Sequence, residues 1–183
     1  MILETERLIL RPWKESDAED LFKYAKDPDI GPAAGWPTHN KVEESLNIIK
    51  NVFDGKECYA VCLKSDCKAI GCIELLLDKR LTERNDECEL GFWIGKPFWG
   101  QGLIPEASRE LLRRAFEDLG MNKVWCGYYD GNEKSKRVQE KVGFKYSYTK
   151  ENVDVPLMKE KRTEHINCIT KEEWIDLCNT TAK

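Results

Sequence analysis

Residues 92 to 106 read Phe-Trp-Ile-Gly-Lys-Pro-Phe-Trp-Gly-Gln-Gly-Leu-Ile-Pro-Glu, an apolar strand that passes through a Gly-x-Gly turn straight into a helix. This junction constrains the fold more than any other segment, because it sets backbone N–H groups without intrahelical partners at the end of a strand. Gly100 and Gly102 can take positive φ and let a ligand approach the main chain. Pro105 fits the first helical turn, where its missing N–H costs nothing. The amides from Gly100 to Ile104 can therefore converge on an anion at the positive end of the helix, although the same residues also suit a tight turn that only needs flexibility. Spacing excludes two phosphate loops. Leu103 and Ile104 stand where a Walker loop carries Lys-Ser/Thr, and Pro105 stands where a dinucleotide fingerprint needs a third small residue.

Hydrophobic periodicity supplies the elements around this junction. Leu8-Ile-Leu10 reads as a first strand, and Ser16-Asp-Ala-Glu19 matches a capping box for a helix carrying Leu21, Phe22 and Ala25. The breaker-rich stretch 31–39 reads as a loop bearing Trp36 and His39, ahead of a helix over 41–53. Runs 58–64 and 69–77 predict an antiparallel hairpin, 78–86 a polar loop, and 87–94 the strand that enters the junction. After the junction a helix continues to Gly120, 123–129 forms a strand, and Asn132 caps a helix that stops at Gly143. Late strands are expected at 144–148 and 165–169. Thr170-Lys-Glu-Glu173 then boxes a last helix with Trp174, Leu177 and Cys178 inward. No linker or repeat interrupts the chain, so residues 1–183 are expected to form a single domain.

Composition narrows the function. With 29 Lys+Arg against 33 Asp+Glu, the chain has no basic field to draw it to nucleic acid or to an anionic membrane. No leader-like apolar segment or 18-residue apolar run occurs, which predicts a cytoplasmic protein. The eight cysteines are expected as reduced thiols, since Cys58, Cys62, Cys67 and Cys72 lack any Cys-x-x-Cys knuckle, and no metal is expected. His39 and His165 belong to no Gly-x-Ser-x-Gly arrangement, which argues against a serine hydrolase.

Taken together, Glu89-Leu-Gly-Phe-Trp-Ile94, Trp99-Gly-Gln-Gly-Leu-Ile-Pro-Glu-Ala107 and Asn132-x-x-Ser135 closing on Gly143-Phe144 resemble the GCN5-related N-acetyltransferase (GNAT) superfamily, and within it the RimJ/RimL-like branch. Glu4-Thr-Glu-Arg-Leu-Ile-Leu-Arg-Pro12 and Ile169-Thr-Lys-Glu-Glu-Trp174 look like that branch too, so the likeness covers nearly the whole chain. The resemblance implies an α/β (α+β) fold: a mixed, mostly antiparallel, twisted sheet of about seven strands flanked by helices, with splayed central strands. It also implies acetyl-CoA as co-substrate and a primary amine as acceptor, either a peptide N-terminus or a small molecule, in a monomer or homodimer. A non-catalytic acyl-CoA-binding module is the alternative.

The same resemblance implies roles for particular residues. The amides of Phe92 and Ile94 would pair with pantetheine as an added strand, an amide near Phe92–Trp93 would meet the carbonyl oxygen, and the amides of Gly100, Gln101, Gly102 and Leu103 would receive the pyrophosphate, with Trp99 and Ile104 part of the same cofactor site. Trp99 stands where the family usually has Arg or Gln, and Ile104 where it has a small residue. Glu89 would accept the amine's proton, with Glu87 as a competitor of the same strand parity. Ser135 would meet the sulfur, Asn132 would cap the helix and touch the cofactor, and Trp36 and His39 would line the acceptor pocket.

Overall fold

A computed structural model describes residues 1–77 and 81–181; of the expected loop over 78–86, residues 78–80 lie outside the described set. Among the described residues there are eight strands and six α-helices, beginning with β1 (Leu3–Glu4), β2 (Leu8–Arg11), α1 (Ala18–Ala25), α2 (Gly31–Ala34), α3 (Val42–Asn51), β3 (Cys58–Leu63), β4 (Ala69–Leu76) and β5 (Glu87–Ile94). Then follow α4 (Leu103–Arg113), β6 (Lys123–Tyr129), α5 (Glu133–Lys141), β7 (Lys145–Val155), β8 (Glu160–Thr170) and α6 (Lys171–Thr181). All eight strands join one sheet in the order β1-β2-β3-β4-β5-β6-β8-β7. Every pairing is antiparallel except β5 with β6.

Alternation along β3 explains the layering. Tyr59 and Val61 belong to a core shared with Leu103, Leu111, Leu112 and Phe116 of the α4 side, whereas Cys58, Ala60 and Cys62 pack with Leu21, Ala25 and Ile49 of α1 and α3. The sheet is thus covered on both faces. α4 holds its face because Ala107, Leu111 and Leu112 recur at helical spacing, while Arg109 and Glu110 point outward.

Several expectations are corrected. The strand at Leu8 is the second, since the two-residue β1 precedes it. Ser16 does not cap α1; Asp17 does the local work, accepting from the Lys14 amide at 2.9 Å and pairing with Arg11 at 2.7 Å. A charge buried beside its partner outcompetes a serine hydroxyl there. The stretch 31–39 contains α2, which begins with Gly31-Pro32 and ends where Gly35 takes φ 89°. The late strands are far longer than expected, because β7 is an edge strand whose side chains are mostly exposed and carry no apolar alternation. In α6 Trp174 packs on Phe116, their rings 5.4 Å apart, but Leu177 and Cys178 are exposed rather than inward. The eight cysteines are free thiols, with Cys58 and Cys72 in contact across β3 and β4.

Leu111 is fully buried between α4 and the sheet. Leu111→Ala should cost about 2–5 kcal/mol of unfolding free energy, read as a lower urea midpoint with unchanged slope. A loss within about 0.5 kcal/mol would show that α4 does not anchor this core.

Candidate active site

The Gly-x-Gly turn has the conformation its residues allow. Gly100 and Gly102 both adopt φ 76°, and Gly102 caps α4, so the amides of Leu103 and Ile104 open the helix with no carbonyl one turn before them. Two ties hold the turn in shape. The Trp99 indole donates to the Ile94 carbonyl at 2.9 Å, and the Arg7 guanidinium donates to the Gln101 carbonyl at 3.0 Å. Arg7 is itself fixed by Glu106 in the first turn of α4, whose carboxylate also accepts from the Arg7 amide at 2.8 Å and from the Thr5 hydroxyl at 2.5 Å. Burial alone would raise the Glu106 pKa, but these donors leave it below the ordinary value, so the carboxylate stays ionised and the clamp closed at neutral pH.

Beyond the turn the sheet opens. β5 and β6 pair only at Glu87–Lys123, Cys88–Val124 and Glu89–Trp125, whereas β5 stays paired with β4 as far as Ile94. The Gly95 amide donates to Ile70 on the β4 side at 2.8 Å. By strand alternation, the N–H and C=O groups of Phe92 and Ile94 therefore point into the gap where β6 has left. Trp99 takes up the Ile94 carbonyl. The remaining edge resembles a sheet edge awaiting a strand.

Two adjoining cavities occupy this opening. A cleft of about 380 Å³ runs from the Phe92–Ile94 edge to the Gly100–Ile104 turn and is walled on its far side by α5. A second cavity of about 340 Å³ lies between β4, β5, β6 and β8. Ala33, Phe92, Trp93 and Ser135 line both, so a group at Ser135 faces the two spaces at once.

The structure brings most of the expected site residues together. Trp99, Gly100, Gly102, Leu103 and Ile104 line the cleft, while Glu89 and Trp36 line the second cavity with Glu74, Glu164, Tyr128 and Tyr129. Glu87 is elsewhere, accepting from the Trp125 indole at 2.7 Å and pairing with Arg84 at the closed end of β5. Three expected residues stand back from both cavities. Gln101 turns its amide to the Pro97 carbonyl, Asn132 accepts from the Ser135 amide as helix cap and donates to the Ala33 carbonyl, and His39 sits behind Trp36 and bonds Ser45. Burial lowers the His39 pKa, which keeps the ring neutral at pH 7. Among the described residues no cluster of three or more His, Cys, Asp or Glu side chains could hold a metal ion.

Residues 7–145 match the family model of the acetyltransferase (GNAT) domain. The chain belongs to the GNAT acetyltransferase family. Relatives in Bacillus subtilis (strain 168) include YdaF, which carries the name of a ribosomal N-acetyltransferase and is 45% identical over 64 residues, 35% of each chain. The N-acetyltransferase YoaA of the same organism is 25% identical over 78% of this chain and 82% of its own. A GNAT structure from Bacillus anthracis superposes with a TM-score of 0.81 at 20% identity, covering 94% of this chain and 99% of that one. The microcin C7 self-immunity acetyltransferase MccE, solved with acetyl-CoA and AMP, superposes at 0.74 with 18% identity over 90% and 93% of the two chains.

GNAT enzymes draw their acetyl group from acetyl-CoA, and the cleft has the chemistry such a ligand requires. It joins an unpaired strand edge to a helix N-terminus through two glycines in the left-handed region. Sequence reasoning missed its basic wall. Lys134, Arg137 and Lys141 line it from one face of α5, with the Lys134 ammonium 4.2 Å from the centre of the Trp99 ring. Their spacing of three and four residues is a helical face readable in the sequence. Also missed was the Arg7–Glu106 clamp.

Gly102→Val should weaken acetyl-CoA binding about tenfold or more, because a β-branched residue resists φ 76°. Arg7→Ala, which frees the Gln101 carbonyl and takes the guanidinium from Glu106, should weaken it in the same direction by less. Calorimetric titration with acetyl-CoA, with ADP as control, checks both; native affinity in the Gly102 variant rules out the turn as a binding element.

Proposed function

We propose that this protein is an N-acetyltransferase in which a primary amine attacks acetyl-CoA directly in a ternary complex, with residues 1–183 acting as one domain. The observation that carries the reading is the shared wall of Ala33, Phe92, Trp93 and Ser135 between the cofactor-shaped cleft and the second cavity. An acceptor in one space can there meet a thioester in the other without passing through an enzyme-bound intermediate. The sheet supports the single domain, because β8 lies between β6 and β7 and so completes the β6 side of the opening.

The thioester supplies an electrophilic carbonyl and a thiolate leaving group. The open edge of Phe92 and Ile94 gives the pantetheine arm a strand to pair with, and the amides of Gly100 to Ile104, aided by the basic face of α5, receive the phosphates. Glu89, which is 7% exposed and borders the second cavity, accepts the proton of the attacking ammonium directly or through water. Its preference over Glu87 rests on position, since Glu87 is engaged by Trp125 and Arg84 away from both cavities. As the new C–N bond forms and the C–S bond breaks, Ser135 hydrogen-bonds the departing thiolate, and the second proton shed by the nitrogen goes to that sulfur. Cys88 is no competing nucleophile: burial pushes its pKa up to about 12, so the thiol stays protonated at neutral pH.

The acceptor cavity, walled by Trp36, Trp93 and the two tyrosines with Glu74, Glu89 and Glu164, suits an amine that arrives protonated and leaves neutral. A ribosomal-protein N-terminus fits this description and accords with the name of YdaF and with a Vibrio cholerae structure titled as a ribosomal-protein-serine acetyltransferase, which superposes at a TM-score of 0.75 with 18% identity. A small amine fits the same chemistry. The Aspergillus fumigatus (strain ATCC MYA-4609 / CBS 101355 / FGSC A1100 / Af293) relative named FsC-acetyl coenzyme A-N(2)-transacetylase, 37% identical over half of this chain and 40% of its own, accords with that class.

Thiol release from acetyl-CoA against a panel of seryl and alanyl peptides and small amines tests the reading. Glu89→Gln should slow turnover about 10²–10⁴-fold at pH 7 with acetyl-CoA affinity unchanged. The deficit should shrink as pH rises toward the acceptor's pKa, about 7.8 for an α-amine, because the free base then forms without the enzyme's help. Full activity of this variant at pH 7 removes Glu89 from the mechanism.

A further inference from the structure

Gln139 is completely buried although it lies on α5, a helix whose other polar side chains face solvent or the cleft. It stands one turn after Ser135 on the same face, and each end of its amide is engaged. Its Nε2 donates to the Gly127 carbonyl of β6 at 3.2 Å and to the Ser135 hydroxyl oxygen at 3.1 Å, while its Oε1 accepts from Asn167 Nδ2 of β8 at 2.8 Å.

The polarity of this network is fixed from one end. A backbone carbonyl can only accept, so Gly127 obliges Gln139 to present its NH2 group on that side. The NH2 group carries two protons, and the second is directed at Ser135 Oγ. Reversing the amide would set oxygen against oxygen at Gly127 and nitrogen against nitrogen at Asn167, at full burial. Ser135 Oγ must therefore act as an acceptor toward Gln139, and its own proton is left to point elsewhere. Among the described residues Ser135 Oγ has no other hydrogen-bond partner, and its residue lines both cavities.

From this geometry we infer that Gln139 is a positioning residue that sets the hydrogen-bond polarity of Ser135, holding the serine hydroxyl as a donor toward the coenzyme A sulfur at the junction of the two cavities. Gln139 touches neither the thioester nor the amine; it acts through Ser135. A serine without such a partner rotates among donor and acceptor arrangements and spends only part of its time presenting its proton. Anchoring by Gly127 on β6 and Asn167 on β8 ties the serine's orientation to the strand that has parted from β5, so the hydroxyl is registered to the opening itself. The inference rests on the reading of Ser135 as the group that meets the sulfur.

The test uses the whole protein with free coenzyme A, and reads the pKa of the bound thiol from the ultraviolet absorbance of its thiolate. A hydroxyl donor stabilises the thiolate, so Ser135→Ala should raise the bound thiol's pKa by about 1–2. Gln139→Met should raise it in the same direction, and in the double variant Ser135→Ala/Gln139→Met it should add nothing further. Turnover with the best amine of the panel should fall for Gln139→Met in kcat, with KM for acetyl-CoA within about twofold of native. A thiol pKa that Gln139→Met leaves unchanged while Ser135→Ala raises it, or effects that add in the double variant, would overturn the inference and leave Gln139 a structural residue. A Ser135→Ala variant with native thiol pKa would instead remove Ser135 from the mechanism, and the inference with it. Should Gln139→Met fail to fold, nitrogen-15 spectra of the native protein and of Ser135→Ala decide the point. One Gln139 side-chain N–H must lose its hydrogen-bond shift when the serine oxygen is removed, and an unchanged pair of signals contradicts the proposal.

Discussion

The parting of two parallel strands is the constraint on which everything else in this molecule depends. From Leu90 onward β5 keeps its neighbour on one side and loses it on the other. Unpaired main-chain groups in a partly buried position are costly, so a fold that retains them must supply other partners. The chain supplies one itself, in the Trp99 indole on the Ile94 carbonyl, and leaves the rest to the cleft. Because β4 still grips the other edge of β5 and both faces of the sheet are covered, the opening is held by a rigid frame rather than by a mobile loop.

That frame explains why its electrostatic parts are spread so widely along the chain. The positive end of α4 and the basic face of α5 flank the cleft, whereas Glu74, Glu89 and Glu164 come from three different strands and border the adjoining cavity. Basic side chains thus border one compartment and carboxylates the other, and in the proposed reading this division sorts a phosphate-bearing cofactor from a cationic acceptor.

Legibility in the sequence followed physical cause. Gly100 and Gly102 were readable because only glycine takes φ 76° without strain, and β5 and β6 because apolar and aromatic residues gather in short runs bounded by turns. Asn132 was readable as a cap from its place before a polar helix, though not its distance from the cleft, since a committed side chain looks no different in sequence from a free one. The Arg7–Glu106 clamp joins positions 99 apart, and no local rule announces it. Gln139 was half visible: its spacing of four from Ser135 is a helical neighbour relation, but its burial depends on Gly127 and Asn167, which only the sheet order brings beneath α5. His39 belonged to the right loop, yet the insertion of α2 turned it behind Trp36.

The sheet order has a consequence for how the molecule is made. β8 is inserted between β6 and β7, so the strand that supplies Glu164 and Asn167 is synthesised after the seven others of the described sheet. Until residue 170 has emerged from the ribosome, β6 lacks β8, which pairs along its whole length in the finished sheet. A nascent chain that stops short of β8 lacks Glu164, which borders the second cavity, and Asn167, which holds Gln139. The hairpin of β7 and β8 must therefore dock on β6 before the cavity wall is complete, which places that step late in vectorial synthesis.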